Sequence, residues 1–358
     1  MGVGFLAGMK KTIIRTGLET LYFSGGHRLM RPLVGGIGSI LTFHHVRPPR
    51  SEAFQPNRLL EITPVFFEGL IRRLARSRID IITLDEVHQR LVSGVSKRRF
   101  VSITFDDGYR DTLRWAYPLL KKYKLPFTLY IPTSFPDQLG ELWWVALEMV
   151  IAKNNRIGIT IDGKDQFFEC ATLREKRELY DAVYGYLRSL KTEDELRKVV
   201  RDLCACHCVD IPVLCKELCM TWEEIAQLAA DPLCTIGAHT VNHVILKKIP
   251  SDAAVRSEIE MSRSVIEAAL GVRPQHFAYP VGDKTSAGPR EFNIAEQLGF
   301  KTGVTTRPGV LFKAHRNHLM ALPRISVNGE YQQQRYVKVL MSGAATAMWN
   351  GFRRVNAA

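Results

Sequence analysis

The apolar positions of this chain alternate between short runs typical of β-strands and longer amphipathic runs typical of helices. Runs rich in β-branched and aromatic residues predict strands at 40–43, 79–83, 100–105, 126–131, 234–238, 276–279, 301–305 and 324–327. Helical periodicity predicts one helix that starts at Thr63 and three further helices at 84–92, 112–123 and 252–270. Strands that alternate with helices in this way favour an α/β fold with parallel strands.

Residues 141–220 interrupt this alternation. Their pattern predicts several helices in succession, and the part from 173 to 203 is rich in charge. We interpret the segment as a helical insertion between strands, which serves either as a lid or as a partner surface. The adjacent Trp143 and Trp144 either stack on a sugar ring or belong to the hydrophobic core.

Two adjacent carboxylates, Asp106 and Asp107, follow the predicted strand 100–105 and precede Gly108. Residues just past the carboxyl end of a strand lie at the mouth of an α/β sheet or barrel, where active sites are built. Two like charges side by side repel unless a cation or a proton separates them. The simplest interpretation is that one aspartate binds a metal and the other accepts a proton.

A pair of histidines, His239 and His243, follows the predicted strand 234–238. On a helix or helical turn this spacing places both imidazoles on one face, as two ligands of one metal require. One aspartate and two histidines leave a coordination position open for water, which is typical of a catalytic zinc site. The sequence therefore predicts a divalent metal site, with Zn²⁺ as the preferred ion.

Three motifs of this chain resemble those of the polysaccharide deacetylases, which include chitin, peptidoglycan and chitooligosaccharide deacetylases. The motifs are TFDDGY at 104–109, HTVNH at 239–243 and FAYPVGD at 277–283, and the resemblance extends from about 40 to 327. It implies a deformed (β/α) barrel and hydrolysis of an N-acetyl group from a GlcNAc-type sugar. It also implies that Asp107, His239 and His243 bind the metal, that Asp106 is the base, and that the backbone N–H of Tyr279 stabilises the oxyanion.

The chain departs from the usual motif order at the general acid. The family's leucine-x-histidine strand near the C-terminus is missing, but GSILTFHH at 38–45 resembles it. This order is similar to the circularly permuted poly-N-acetylglucosamine deacetylases, and it implies that His44 is the general acid. His315 and His318 are the alternatives, although no strand pattern surrounds them.

The arginine that orients the base also occupies an unusual position. Arg273 lies six residues before Tyr279, which is a poor match to the family. Arg324, within Leu-Pro-Arg-Ile, resembles the corresponding segment of the permuted branch. We therefore expect Arg324 to pair with Asp106, with a surface arginine or a structural ion pair as the alternatives.

The composition is that of an ordinary globular protein, with 46% apolar and 24% charged residues, except for its net charge of +13. Such a basic surface favours anionic partners. We find no nucleic-acid-binding motif, so an anionic membrane surface or an anionic glycan is the better expectation. The oligomeric state is left open.

The first 36 residues form a basic amphipathic segment with Lys10, Lys11 and Arg15 among apolar residues. We recognise neither a signal peptide nor a transmembrane helix, which predicts a cytoplasmic protein, peripheral on the inner face of the membrane. A helix packed on the domain is the alternative to a helix on the membrane. The predicted organisation is segment 1–36, a deacetylase barrel at 37–330 with the insertion at about 141–220, and a helical tail at 331–358.

Five of the seven cysteines cluster between Cys204 and Cys219, in a spacing that matches no trusted zinc motif. We interpret them as reduced thiols in a helical region. Two other functions stay open at this point. One is a metal-dependent hydrolase of an O-acetyl ester or a non-sugar amide, and the other is a catalytically silent glycan-binding protein.

Overall fold

Seven parallel strands close into a barrel in the computed structural model, which describes residues 3–161 and 163–357. In chain order the strands are β1 (Gly38–Phe43), β2 (His45–Val46), β3 (Glu61–Ile62), β4 (Asp80–Ile81), β5 (Phe100–Phe105), β6 (Phe127–Ile131), β7 (Arg156–Ile161), β8 (Lys164–Glu169), β9 (Cys234–Ala238), β10 (His276–Ala278), β11 (Thr302–Pro308) and β12 (Leu322–Ser326). The barrel runs β1–β5–β6–β9–β10–β11–β12 and closes where β12 pairs with β1. The predicted α/β barrel is therefore confirmed.

Helices surround this barrel and build the segments that flank it. In chain order they are α1 (Val3–Phe23), α2 (Gly26–Val34), α3 (Pro64–Ala75), α4 (Leu84–Ser93), α5 (Tyr117–Tyr123), α6 (Trp143–Lys153), α7 (Leu173–Ser189), α8 (Glu193–Cys206), α9 (Ile211–Leu218), α10 (Trp222–Ala229), α11 (Asp252–Leu270), α12 (Pro289–Gln297), α13 (Gln334–Met341) and α14 (Ala344–Trp349). Local signals set their ends: Thr63, for example, caps α3 by accepting the N–H of Phe66 at 3.2 Å.

The first strand in the chain is an integral part of the barrel. β1 lies between β12 and β5, in a register that places Phe43 opposite Phe105. This confirms the strand predicted at 40–43. It also makes the next residues, His44 and Asp106, neighbours at the carboxyl ends of two adjacent strands.

The barrel interior is filled from its amino end. Ile40, Phe100, Val304 and Leu322 belong to an apolar cluster with residues of α4. Tyr130, near the carboxyl end of β6, extends this cluster towards the site. Because parallel strands project alternate residues inward, the next inward layer towards the carboxyl ends carries polar side chains such as Thr104 and Arg324. The apolar layer thus forms the floor of a polar site.

The insertion between β6 and β9 has its own hydrophobic core. Helices α6 to α9 pack around Trp143, Trp144, Leu147 and Ile151, and both tryptophans are buried. The prediction of helices alone was incomplete, because β7 and β8 form an antiparallel hairpin within the segment. The largely exposed β8 contributes little apolar patterning from which a strand could be predicted.

The two ends of the chain pack together on the barrel. Leu18 of α1 is buried with Tyr336 and Val339 of α13, and Glu19 pairs with Arg335 at 2.6 Å. The N-terminal segment therefore has a packed face, as the alternative interpretation expected. Among the helices that the structure describes between residues 3 and 357, none combines the length and the apolar composition needed to cross a bilayer.

Candidate metal centre and active site

Asp107, His239 and His243 converge at the carboxyl ends of β5 and β9. Asp107 Oδ1 lies 3.4 Å from His239 Nε2 and 3.3 Å from His243 Nε2. The three possible ligand atoms all lie within 4.8 Å of one another, and all three residues are buried. Within the described ranges this is the one cluster of three or more His, Cys, Asp or Glu side chains with such spacing.

The protonation and hydrogen bonding of this cluster fit a divalent metal. Asp107 Oδ1 is buried and has no hydrogen-bond partner in the described structure. His239 Nδ1 lies 2.7 Å from the carbonyl oxygen of Ala278, which fixes the proton on Nδ1 and leaves the Nε2 lone pair directed at the cluster. Burial on its own would raise the pKa of Asp107, but His243 and His239 hold it well below its usual value. A buried carboxylate with two imidazoles is the donor set of a catalytic zinc site.

The backbone that presents these ligands is not helical, which corrects the expectation for His239 and His243. Both lie in an irregular loop after β9, where Thr240 and His243 adopt φ of 64° and 53°. Asp107 also has a positive φ, of 70°. Left-handed backbone at residues other than glycine persists only where surrounding contacts impose it. The four-residue spacing thus brings the imidazoles together through a turned loop and not through one helix face.

Two residues far along the chain hold this loop. Glu258 of α11 accepts the N–H groups of Val241 and Asn242 at 3.0 and 3.2 Å. Arg197 of α8 donates to the carbonyl oxygen of Asn242 at 2.7 Å. Sequence reasoning missed both, because a single glutamate or arginine on an amphipathic helix carries no local signal of such a role.

Asp106 lies beside the metal cluster and is paired with Arg324. Arg324 donates two parallel hydrogen bonds to the carboxylate, at 2.7 and 2.6 Å, and a third to the carbonyl oxygen of Thr305 at 2.9 Å. Its guanidinium is fully buried and lies over the ring of Tyr130. Burial alone would raise the pKa of Asp106, but the Arg324 charge holds this pKa below its ordinary value. The carboxylate is therefore ionised at neutral pH.

His44 is the histidine nearest to Asp106, with Nε2 3.9 Å from Asp106 Oδ2 and 19% of its side chain exposed. Loss of hydration lowers the pKa of His44, and the negative charges of Asp107 and Asp106 only partly oppose this. The two residues lie side by side on neighbouring strands. The register of β1 and β5 thus sets the predicted acid directly beside the predicted base.

The two alternative histidines lie elsewhere. His315 is buried in a short turn after Leu311, and Leu311 pairs with Gly38 at the amino end of β1. His318 is exposed. His315 is thus at the opposite end of the barrel from the metal cluster.

Tyr279, the predicted oxyanion donor, has its backbone N–H already engaged in the barrel. Its N–H donates to the carbonyl oxygen of Val304 at 3.2 Å, as part of the pairing between β10 and β11. Its ring is buried against Phe277 and Phe292. The next residue, Pro280, has no N–H, and the N–H of Val281 makes no hydrogen bond within the described structure.

The insertion supplies one wall of the site through stacked aromatic side chains. The ring of Trp144 lies 4.8 Å from that of His243, and its indole N–H donates to Tyr109 at 3.3 Å. Tyr109 in turn stacks on His45 at 3.6 Å. Because Trp143 and Trp144 are buried in this packing, neither offers an open face to a sugar.

Comparison with known proteins agrees with this architecture. The model of the polysaccharide deacetylase family matches residues 93–303, which is more than half of the chain. The solved structure of a Streptococcus pyogenes deacetylase, PplD, in complex with acetate is 18% identical, with a TM-score of 0.55, and the match covers 81% of this chain and 92% of that one. No curated protein sequence matches the chain.

Two further solved structures share the fold. IcaB from Ammonifex degensii is 18% identical with a TM-score of 0.52, over 85% of this chain and 97% of that one. The putative polysaccharide deacetylase BA0330 from Bacillus anthracis is 14% identical with a TM-score of 0.51, over 84% and 68%. At these identities the structural likeness shows the fold alone. Strand β1, which precedes His44, and strand β12, which contains Arg324, lie outside the part matched by the family model.

Proposed function

This chain belongs to the polysaccharide deacetylase family, enzymes that remove acetyl groups from an acetylated glycan, and we propose that it hydrolyses the N-acetyl group of a GlcNAc-type residue and releases acetate. The observation that carries this proposal is the buried Asp107–His239–His243 cluster, with Asp106 and His44 beside it. A metal site, a base and an acid at one barrel mouth are what amide hydrolysis requires.

Asp107, His239 and His243 would hold the metal, and the oxygen and nitrogen donor set is consistent with Zn²⁺. When bound, zinc supplies Lewis-acid polarisation of the acetyl carbonyl and lowers the pKa of water. The unpartnered Asp107 Oδ1 and the orientation of His239 through Ala278 support this assignment.

Asp106 is the proposed base, which accepts a proton from the attacking water. Arg324 keeps the carboxylate ionised and fixes its plane through two hydrogen bonds, so that a free lone pair can be directed at the water. The lowered pKa of Asp106 means that the base is in its active form at neutral pH.

His44 is the proposed acid, which donates its proton to the nitrogen of the leaving amine; because its pKa is lowered, only a minor fraction of the free protein carries this proton at neutral pH. An amide nitrogen is a poor leaving group unless it is protonated, whereas an ester oxygen depends much less on this step. A partly exposed histidine next to the metal cluster therefore favours an N-acetyl substrate over an O-acetyl ester.

The N–H of Val281, in place of that of Tyr279, is the proposed donor to the oxyanion. It belongs to the first residue after Tyr279 whose N–H exists and is not already bonded. A preorganised backbone donor of this kind typically contributes a few kcal/mol to transition-state stabilisation.

Acetate release from a panel of substrates tests the proposal. Purified protein loaded with Zn²⁺ is incubated with N-acetylated oligosaccharides, lipid-linked N-acetyl sugars, O-acetylated sugars and a non-sugar acetamide. We expect acetate from N-acetylated sugars only, and we expect Asp106→Asn to retain zinc and lose most turnover. Release confined to O-acetyl esters or to the acetamide, or zinc binding without any release, would contradict the proposal.

A further inference from the structure

Helix α2 turns apolar side chains outward at the amino end of the barrel. Leu29 and Leu33 are one helical turn apart and are 82% and 71% exposed. Phe23 at the end of α1 and Phe352 after α14 are 73% and 62% exposed. Single exposed apolar residues are common on proteins, but four large ones on adjoining elements mark an interaction surface.

Leu33 and Phe352 share a surface with a group of cations, and Leu29 lies one turn from Leu33 on α2. On one side of α2, Leu33 and Phe352 line a groove with Arg353 and Arg354. On the other side, α2 borders a groove lined by Arg28, Arg31, Arg73 and Lys338. We call this combined region the basal surface: Phe23, Arg28, Leu29, Arg31, Leu33, Arg73, Lys338, Phe352, Arg353 and Arg354.

The positive charge of the basal surface is not neutralised by the protein. Neither groove is lined by an aspartate or a glutamate of the described chain. The ion pairs formed between described residues include none of the six cations of the basal surface. The pKa of the neighbouring Arg99 is lowered to about 10, mainly by burial and further by the like charge of Arg31.

We propose that the basal surface docks this protein on an anionic lipid bilayer. Arginine guanidinium groups bind lipid phosphates, and Leu29 and Leu33 enter the boundary between headgroups and acyl chains. A bilayer surface presents anionic and apolar groups in layers, which matches arginines placed directly beside aliphatic side chains. A nucleic acid backbone would leave these leucines in water, so the combination favours lipid.

The basal surface lies at the end of the barrel opposite the metal cluster. α2 leads through Gly35 into the amino end of β1, and Arg99, just before β5, donates to the carbonyl oxygen of Gly35 at 2.6 Å. The metal cluster follows the carboxyl ends of β5 and β9, and a six-residue strand spans about 20 Å. Docking therefore leaves the site open to solvent, and the proposal is independent of the reaction that the site performs.

Flotation with lipid vesicles tests the proposal on the full chain. The wild-type protein should float with vesicles that contain 30% phosphatidylglycerol, should stay in solution with pure phosphatidylcholine vesicles, and should be released as salt is raised. Arg28→Gln/Arg31→Gln should weaken binding about thirtyfold, because each cation near the bilayer surface lowers the dissociation constant about fivefold and the two factors multiply. Leu29→Ser/Leu33→Ser should weaken it at least tenfold.

Matched variants control for charge and apolarity as such. Arg114→Gln/Arg177→Gln and Val65→Ser/Leu139→Ser change equally exposed residues on other surfaces and should bind like the wild type. Thermal unfolding of each variant checks that it is folded. The lipid and salt dependence of the wild-type protein tests the proposal even if a variant fails to fold. Equal binding to neutral and anionic vesicles, or equal losses in test and control variants, would overturn the proposal. So would self-association through α2 without vesicle binding.

Discussion

The carboxylate of Asp106 receives two parallel hydrogen bonds from the guanidinium of Arg324, a residue 218 positions later in the chain. The pair is buried at the barrel mouth, with the guanidinium over the ring of Tyr130. Fork-to-fork pairing of this kind fixes both the charge and the plane of a carboxylate. Asp106 is thus oriented by the fold before any substrate binds.

Replacing Arg324 separates its charge from its geometry. Arg324→Lys keeps a cation but cannot form two parallel bonds, so acetate release should fall about 100-fold with metal content unchanged. Arg324→Leu leaves Asp106 buried without a partner and should lower the free energy of unfolding by about 3–5 kcal/mol. Acetate release and urea unfolding measure the two effects. An Arg324→Leu variant as stable as the wild type would show that the pair does not hold the carboxylate.

Metal binding should depend on His243 and, less strongly, on the residue that holds its loop. His243→Gln should abolish stoichiometric zinc binding. Glu258→Ala frees the N–H groups of Val241 and Asn242 and should weaken zinc binding roughly 10–100-fold, as loss of a supporting hydrogen bond does in other metal sites. Zinc titration followed by metal analysis measures both.

The control for this prediction is His207→Gln, which changes a histidine of the cysteine-rich region outside the metal cluster. It should bind zinc like the wild type. Stoichiometric zinc in His243→Gln, or an equal loss in His207→Gln, would contradict the ligand assignment.

The sequence predicted the barrel because periodicity reports which face of each element is buried. The strands at 40–43 and 100–105 are buried on both faces, as strands of a closed parallel barrel are, and their outward faces are apolar. Adjacency to a strand end then marked Asp106 and Asp107 as site residues by topology, whereas His44 was identified through its resemblance to a family motif. Arg324 was found only through its resemblance to a family motif.

What the sequence could not predict depends on contacts between distant segments. The left-handed backbone at Thr240 and His243 is imposed in part by Glu258, and no local sequence pattern predicts it. The N–H of Tyr279 is occupied because it donates to the carbonyl oxygen of Val304, so the backbone pairing of β10 with β11 extends to this residue. In both cases hydrogen bonding across the fold decides which backbone groups are free.

The role of His44 can be separated from metal binding. His44→Ala should reduce acetate release from an N-acetylated sugar by roughly 10²–10⁴-fold, the range of a general acid, and should leave zinc content unchanged. A substrate with an activated leaving group should lose much less, because its departure needs little protonation. His318→Ala, at an exposed position, is the control. Equal losses for both substrates would exclude proton donation by His44.

His315 should make the protein sensitive to acid. Burial lowers its pKa to about 4 in the folded chain, whereas an unfolded histidine titrates near 6.5. The unfolded state therefore binds one more proton between these values, so this contribution to stability is complete above about pH 6.5 and falls as the pH drops towards 4. The loss at pH 5 relative to pH 7.5 should be about 2 kcal/mol.

The pH slope of stability isolates this effect from lost packing. His315→Asn keeps a short polar group near the N–H of Phe312, which His315 Nδ1 accepts at 3.0 Å. The variant should be less stable at every pH, but proton uptake on unfolding near pH 5 should fall by about one. Urea unfolding at several pH values measures this uptake. His318→Asn should leave it unchanged because His318 is exposed, and an unchanged slope in His315→Asn would show that His315 is not kept neutral by burial.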